Sequence, residues 1–128
     1  MRDVFATAAA WLGEGREFAL ATLVTLRESA TAPIGTTIAV DDEGRIAGNI
    51  GAGCYEAQIV EAALRTASDG QMRRLDINLT TEDEILGGAG CGAMMQVVTW
   101  RAKRSFGDVA RAIAEGQRDV HVSLVYQN

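Results

Sequence analysis

The 128-residue chain holds one histidine, one proline and two cysteines. A structural zinc site asks for four Cys or His ligands, and Cys54, Cys91 and His121 fall short of that. No Cys-x-x-Cys occurs, which removes a thioredoxin-like redox motif. A Cys–His catalytic pair would require His121 to fold back beside Cys54 or Cys91. A lone histidine among strand residues reads instead as a packed or edge residue. Long apolar runs are missing as well: none reaches the roughly 20 residues needed to span a bilayer. The start, Met1-Arg2-Asp3-Val4-Phe5, opens an amphipathic helix and lacks the shape of a signal peptide, so a cytoplasmic location is expected. In such a reducing compartment free thiols are favoured over a disulfide. A basic excess is absent too. The net charge of −5 argues against unassisted nucleic-acid binding.

What is present suits one folded domain over residues 1–128. Hydrophobic residues make up 48% of the chain, so it is no disordered tail. A chain of this length buries roughly two-thirds of its surface on folding and needs no staples. With Asp3 as N-cap, Val4, Ala8, Trp11 and Leu12 share one helical face, and Gly13 to Gly15 end that helix. Phe18 to Leu26 is apolar with threonines interleaved and reads as a central strand buried on both faces. Arg27 to Ile34, with Pro33, reads as a loop. Thr36–Val40 and Arg45–Gly48 form a hairpin pattern around Asp41-Asp42-Glu43-Gly44. Gly44 takes the left-handed position there, and the three acids read as a solvated turn.

A helix is expected from about Tyr55 to Ser68, with Ile59, Ala63 and Ala67 on one stripe and Gly70 at the C′ position. Glu61 stands four residues before Arg65, a favourable pair. Arg73–Leu79 reads as a strand with one solvated face, and Met94–Trp100 as an apolar strand. Met94 and Met95 are strand fillers rather than a soft-metal site. Thr81-Glu82-Asp83-Glu84 has capping-box spacing. A helix should run from Ser105 to about Glu115, and Val120–Tyr126 reads as a last strand. The expected fold is α/β in the broad sense, of the α+β kind: one mixed sheet of five or six strands flanked by helices.

Two small-residue clusters carry the candidate chemistry. Gly48-Asn49-Ile50-Gly51-Ala52-Gly53-Cys54-Tyr55-Glu56 joins a strand to a helix. Bare backbone there lets a ligand approach, and the first N–H groups of a helix have no internal partner. Those groups and the helix dipole favour an anion, typically phosphate. A Cys54 thiolate at that end is stabilised by the same partial charge. Glu56 reads as a first-turn carboxylate favoured by the dipole, with a role as base the lesser alternative. Gly87-Gly88-Ala89-Gly90-Cys91-Gly92 carries the other thiol, and the two clusters are expected to build one anion-binding, thiol-bearing pocket. The first cluster does not keep Gly-x-Gly-x-x-Gly, so a dinucleotide fold is disfavoured. Glycines that merely permit tight strand-to-helix packing are the competing reading.

These stretches resemble the N-terminal domain of the XdhC/CoxI family, accessory factors of xanthine dehydrogenase and related molybdenum hydroxylases. The matching residues are Ala32-Pro33-Ile34-Gly35, Gly48 through Gly53-Cys54-Tyr55-Glu56, and Gly88-Ala89-Gly90-Cys91-Gly92-Ala93. This chain keeps one of the usual loop prolines and has Ala52 and Ala93 where the family pattern has glycine. It is expected to lack the C-terminal Rossmann-like domain common in the family. The resemblance implies a molybdenum cofactor (molybdopterin) chaperone, more a carrier than an enzyme, which delivers its cargo to an apo-hydroxylase. Gly51, Ala52, Gly53, Cys54, Glu56, Gly90, Cys91 and Gly92 would contact the cofactor, with Cys54 and Cys91 toward its molybdenum, a soft partner for thiolate. A cysteine desulfurase is an implied further partner. Two alternatives stay open: a persulfide role for Cys54 or Cys91 in cofactor sulfuration, and a structural or regulatory half of a split accessory factor. A homodimer is expected, because small domains with exposed sheet edges pair readily.

Overall fold

The computed structural model describes residues 2–27, 34–50, 55–78, 94–102 and 106–114. Its elements run α1 (Arg2–Gly13), β1 (Phe18–Arg27), β2 (Thr37–Asp41), β3 (Ile46–Ala47), α2 (Glu56–Asp69), β4 (Arg73–Asn78), β5 (Met94–Trp100) and α3 (Phe106–Ala114). The expected turn at Thr81–Glu84 and strand at Val120–Tyr126 lie outside the described residues.

The strands form one sheet in the order β3-β2-β1-β5-β4, so β1 is central as its unbroken apolar run requires. Its alternate residues enter two separate cores. Ala19, Ala21 and Leu23 pack with Ile38, Val40, Ile50, Ile59, Ala63, Ile77 and Val97 on the α2 side. Phe18 and Leu20 pack with Val4, Ala8, Val98 and Trp100 on the side of α1 and α3. Among the described residues the result is three layers, with one helix on one face and two on the other. Phe18, Leu20, Leu23, Ile38, Ile59, Ile77 and Val97 are each 2% exposed or less, and each such side chain stabilises the fold by about 1.5–3 kcal/mol through burial.

The α+β class and the single sheet are as expected, with one difference. Every pairing between described strands is antiparallel, where a mixed sheet was expected. The cause is the placement of the crossover. The β3-α2-β4 unit does connect two strands of the same direction, but it carries the chain from one edge of the sheet to the other, so no two neighbours run parallel. A register shift between Leu23 and Thr25 interrupts the β1–β5 ladder, leaving Val24 as the extra residue of a bulge.

Helix ends follow the residues that stop them. Gly70 closes α2 in the left-handed conformation, its N–H donating to the Thr66 carbonyl. The Arg65 guanidinium donates to Glu61 at 2.9 Å, the pair read from the spacing. Helix α1 begins at Arg2, so Asp3 sits in its first turn rather than at the cap, and accepts through its carbonyl from the Thr7 hydroxyl.

Polar groups inside the sheet are satisfied in short relays. The Trp100 indole N–H donates to Thr22 Oγ1 at 3.0 Å, Thr22 and Thr37 hydroxyls lie 3.0 Å apart, and Thr37 donates to the Gly35 carbonyl. Since Thr37 spends its one proton on Gly35, Thr22 donates to Thr37. On the other face Thr66 donates to the Gln71 carbonyl and accepts from Thr99 at 2.7 Å, which fixes the end of α2 to β5.

The acidic turn departs from its sequence reading. Asp42 and Glu43 are exposed, but the Asp41 side chain is only 1% exposed. Its Oδ1 accepts from the backbone N–H groups of Glu43 and Arg45, and its Oδ2 from the Arg16 and Arg45 guanidinium groups at 2.9 Å each. Arg16 also lies over the Trp11 ring, 4.9 Å from its centroid. Asp41 thereby ties the α1–β1 turn to the hairpin. Burial pushes its carboxyl pKa up, and the hydrogen bonds and the Arg45 charge outweigh that and hold it below the ordinary 3.8.

Asp41→Asn should cost about 1.5–3 kcal/mol in urea unfolding at neutral pH, because it removes charge-assisted bonds from a buried site. The folded-state pKa is depressed, so the stabilisation is complete above the ordinary value and is lost as pH falls through the folded one. The stability gap between wild type and variant should therefore be constant near neutrality and close on acidification below about pH 4.

Candidate functional site

The first glycine cluster leaves the sheet at the end of β3. Gly48 has φ +98, and a Cβ placed there would lie 2.6 Å from Val4 Cγ2 and 3.2 Å from Ile38 Cγ2. Packing of α1 against β2, not a ligand, demands glycine at this position. Ile50 is 1% exposed and belongs to the α2-side core, with Tyr55 packed against the same cluster. Helix α2 then starts at Glu56, and Tyr55 supplies no side-chain cap to it. Glu56 is exposed in the first turn, where the helix dipole favours a carboxylate. Of the residues expected to form the site, Glu56 alone is described; Gly51, Ala52, Gly53, Cys54, Gly90, Cys91 and Gly92 lie outside the described residues. The juxtaposition expected of Cys54 and Cys91 falls there with them.

The direction of α2 is set by its far end. Thr66 bonds Thr99, and the Ala67 carbonyl accepts from Arg101 at 3.1 Å, so the last turn lies over the exit of β5. With 14 residues, α2 extends about 21 Å; β5 with seven extends about 23 Å. The start of α2 therefore lies toward the opposite end of the sheet. At that end Met94 pairs with both Arg27 and Asn78, so β5 begins where β1 and β4 finish. The residues that flank positions 51–54 and those that flank 79–93 are thus directed to one end of the sheet. Among the described residues there is no cluster of three or more His, Cys, Asp or Glu able to hold a metal ion, and no helix is long and apolar enough to cross a membrane.

The opposite end is occupied by structural ion pairs. Arg73 grips Asp69 through both guanidinium nitrogens and also donates to Thr66 and Gln71. The Arg73 hydrogen bonds and the Gln71 N–H hold the Asp69 carboxyl far below its ordinary range, and Asp69 raises Arg73 in turn. A groove of about 330 Å³ runs beside these pairs between α2 and β4, lined by Gln58, Glu61, Ala62, Arg65, Arg73, Arg74 and Leu75. Sequence reasoning did not single it out. Its one signal was the charged pair Arg73-Arg74 opening a strand with an otherwise apolar stripe.

Gly48→Ala should destabilise the fold by about 1–3 kcal/mol, since it combines a strained φ with a close contact. Gly13→Ala, at a helix end where an added Cβ meets nothing within 4 Å, should leave stability within about 0.5 kcal/mol of wild type. Thermal melts of the two variants side by side check this.

Comparison with known proteins bears on the whole of this architecture. A crystal structure of a Bacillus halodurans protein described as a xanthine dehydrogenase matches with a TM-score of 0.69 and 18% identity, over 87% of this chain and 34% of that one. At that identity the likeness is one of fold. This chain spans about a third of the length of that relative. A search of curated proteins gave no match. The profile of the XdhC and CoxI family matches residues 11–78, from the end of α1 through the hairpin, the first glycine cluster and α2 to the end of β4. That span is more than half of the 128 residues, and on this ground the chain belongs to the XdhC and CoxI family.

Proposed function

We propose that this protein binds the molybdenum cofactor and delivers it to an apo-enzyme of the xanthine dehydrogenase or CO dehydrogenase type of molybdenum hydroxylase. Family membership carries the proposal, together with one topological observation. The strand-to-helix junction that contains Cys54 and the strand connection that contains Cys91 are both anchored by residues directed to a single end of the sheet.

The chemistry at that end suits the cargo. Molybdopterin bears a phosphate, and the start of α2 offers backbone N–H groups and a dipole without a side-chain cap from Tyr55. Gly51, Ala52, Gly53, Gly90 and Gly92 would present backbone to the phosphate and pterin. Cys54 and Cys91 would supply thiolates to the molybdenum end, for which sulfur is the suitable soft donor. Glu56, on the first turn, would face the same guest from the rim. Holding and releasing a cofactor requires no general base, which accords with a chain carrying one histidine. The partners on this reading are the client apo-hydroxylase and a cysteine desulfurase that supplies the terminal sulfur, in the cytoplasm.

The purified chain, incubated anaerobically with molybdenum cofactor and desalted, should retain pterin fluorescence and molybdenum together. Cys54→Ser and Cys91→Ser should each lower retention about tenfold or more, as expected for loss of a metal-directed ligand. Added inorganic phosphate should compete. A wild-type chain that retains neither pterin nor metal overturns the reading, and a double Ser variant that retains both undiminished overturns the thiol assignment.

A further inference from the structure

Strand β2 enters the sheet from the end at which β1 leaves it, with Thr37 opposite Thr22. The start of α2 is directed to that same end. Thr37 meets two separate segments there. Its hydroxyl donates to the Gly35 carbonyl at 3.0 Å. Its own carbonyl oxygen lies against Gly48, 3.5 Å from where a Cβ on that glycine would stand. Gly35 ends the approach to β2, and Gly48 opens the stretch that leads to residues 51–54. Gly35 turns with φ +95, and a Cβ there would meet nothing within 4 Å. Conformation rather than packing therefore asks for glycine at this position.

The direction of the Thr37 hydroxyl is imposed from behind. An indole N–H can only donate, and each threonine hydroxyl has one proton to give. Trp100 donates to Thr22, Thr22 to Thr37, and Thr37 is left to donate to Gly35. Both threonines are buried, so each bond in the relay is strengthened by its low-dielectric surroundings. Thr22 alone satisfies the indole. Thr37 adds nothing to that, and its hydroxyl is used on backbone at the mouth of a loop. Two backbone bonds hold the same turn: Gly35 N–H donates to the Leu23 carbonyl at 2.7 Å, and Leu23 N–H to the Thr36 carbonyl at 2.9 Å.

We propose that Thr37 is a positioning residue for cofactor binding. Through Gly35 and Gly48 it holds the approach to β2 and the stretch before residues 51–54 at a fixed separation, with Thr22 and Trp100 setting its orientation. The inference rests on the cofactor reading above, and it requires no contact between Thr37 and the cofactor.

Anaerobic titration of the full chain with molybdenum cofactor, read as pterin fluorescence retained after desalting, tests it. Thr37→Val keeps the shape of the side chain and removes the donor. It should weaken retention about fivefold, the equivalent of one ordinary hydrogen bond. Thr37→Ala carries the same expectation and guards against a misfit of the valine. Thr37→Ser supplies the same donor and should return retention to within about twofold of wild type. Asp41→Asn, at the far end of β2, destabilises the fold away from the loop and should leave retention by the folded protein unchanged. Circular dichroism melts of each variant accompany the titrations. Valine and alanine variants that retain cofactor as wild type does overturn the proposal. A serine variant no better than the valine, or an Asp41→Asn loss equal to that of the valine, overturns it equally by reducing Thr37 to a stability role. A wild-type chain that retains no cofactor fails the underlying reading, and this inference falls with it.

Discussion

A strand with no solvent-facing side obliges the chain to cover it twice. Phe18–Leu23 is buried at odd and even positions alike, and the fold follows from that fact. Helix α2 seals one face, α1 and α3 seal the other, and β2 and β5 flank the strand on either side. The polar residues within this core are tolerated because each finds a partner. Among the described residues no buried side-chain nitrogen or oxygen lacks one, so the threonines of β1, β2 and β5 cost the core little and fix strand against strand.

The same constraint places the start of α2. Among the described residues α2 is the helix that covers its face, and it runs the length of the sheet. Its C-terminal turn is held at β5 by Thr66, Thr99 and Arg101, so its first turn is committed to the end where β1 and β4 finish. The family match covers that junction but ends at residue 78. Cys54 thus lies within the part of the chain shared with the family profile, and Cys91 lies beyond it.

Much of this was legible in the residues, and the exceptions have a common cause. Apolar runs located β1 and β5, and helical spacing located α1 and α2, because burial is a local pattern repeated along the chain. Gly44 and Gly70 read correctly as turn and cap because their neighbours define the need. Asp41 did not, since an acid in an Asp-Asp-Glu-Gly turn looks solvated until Arg16, 25 residues earlier, is brought beside it. Gly48 looked like part of a ligand cradle, yet the atoms that forbid a side chain there belong to Val4 and Ile38. The antiparallel sheet was hidden for the same reason: a crossover helix marks two strands as parallel and says nothing of how far apart they lie. What depends on contacts distant in sequence is not written in local spacing.

Both tryptophans sit in a single layer. Trp11 lies between Arg16 and the edge of Phe18, and Trp100 stands edge-on to Phe106 with its N–H bound to Thr22. The α2 side of the sheet holds no indole. Intrinsic ultraviolet emission is therefore a one-sided reporter. It registers loosening of α1 and α3 directly, while an event confined to α2 reaches a fluorophore only by passing through the strands between them.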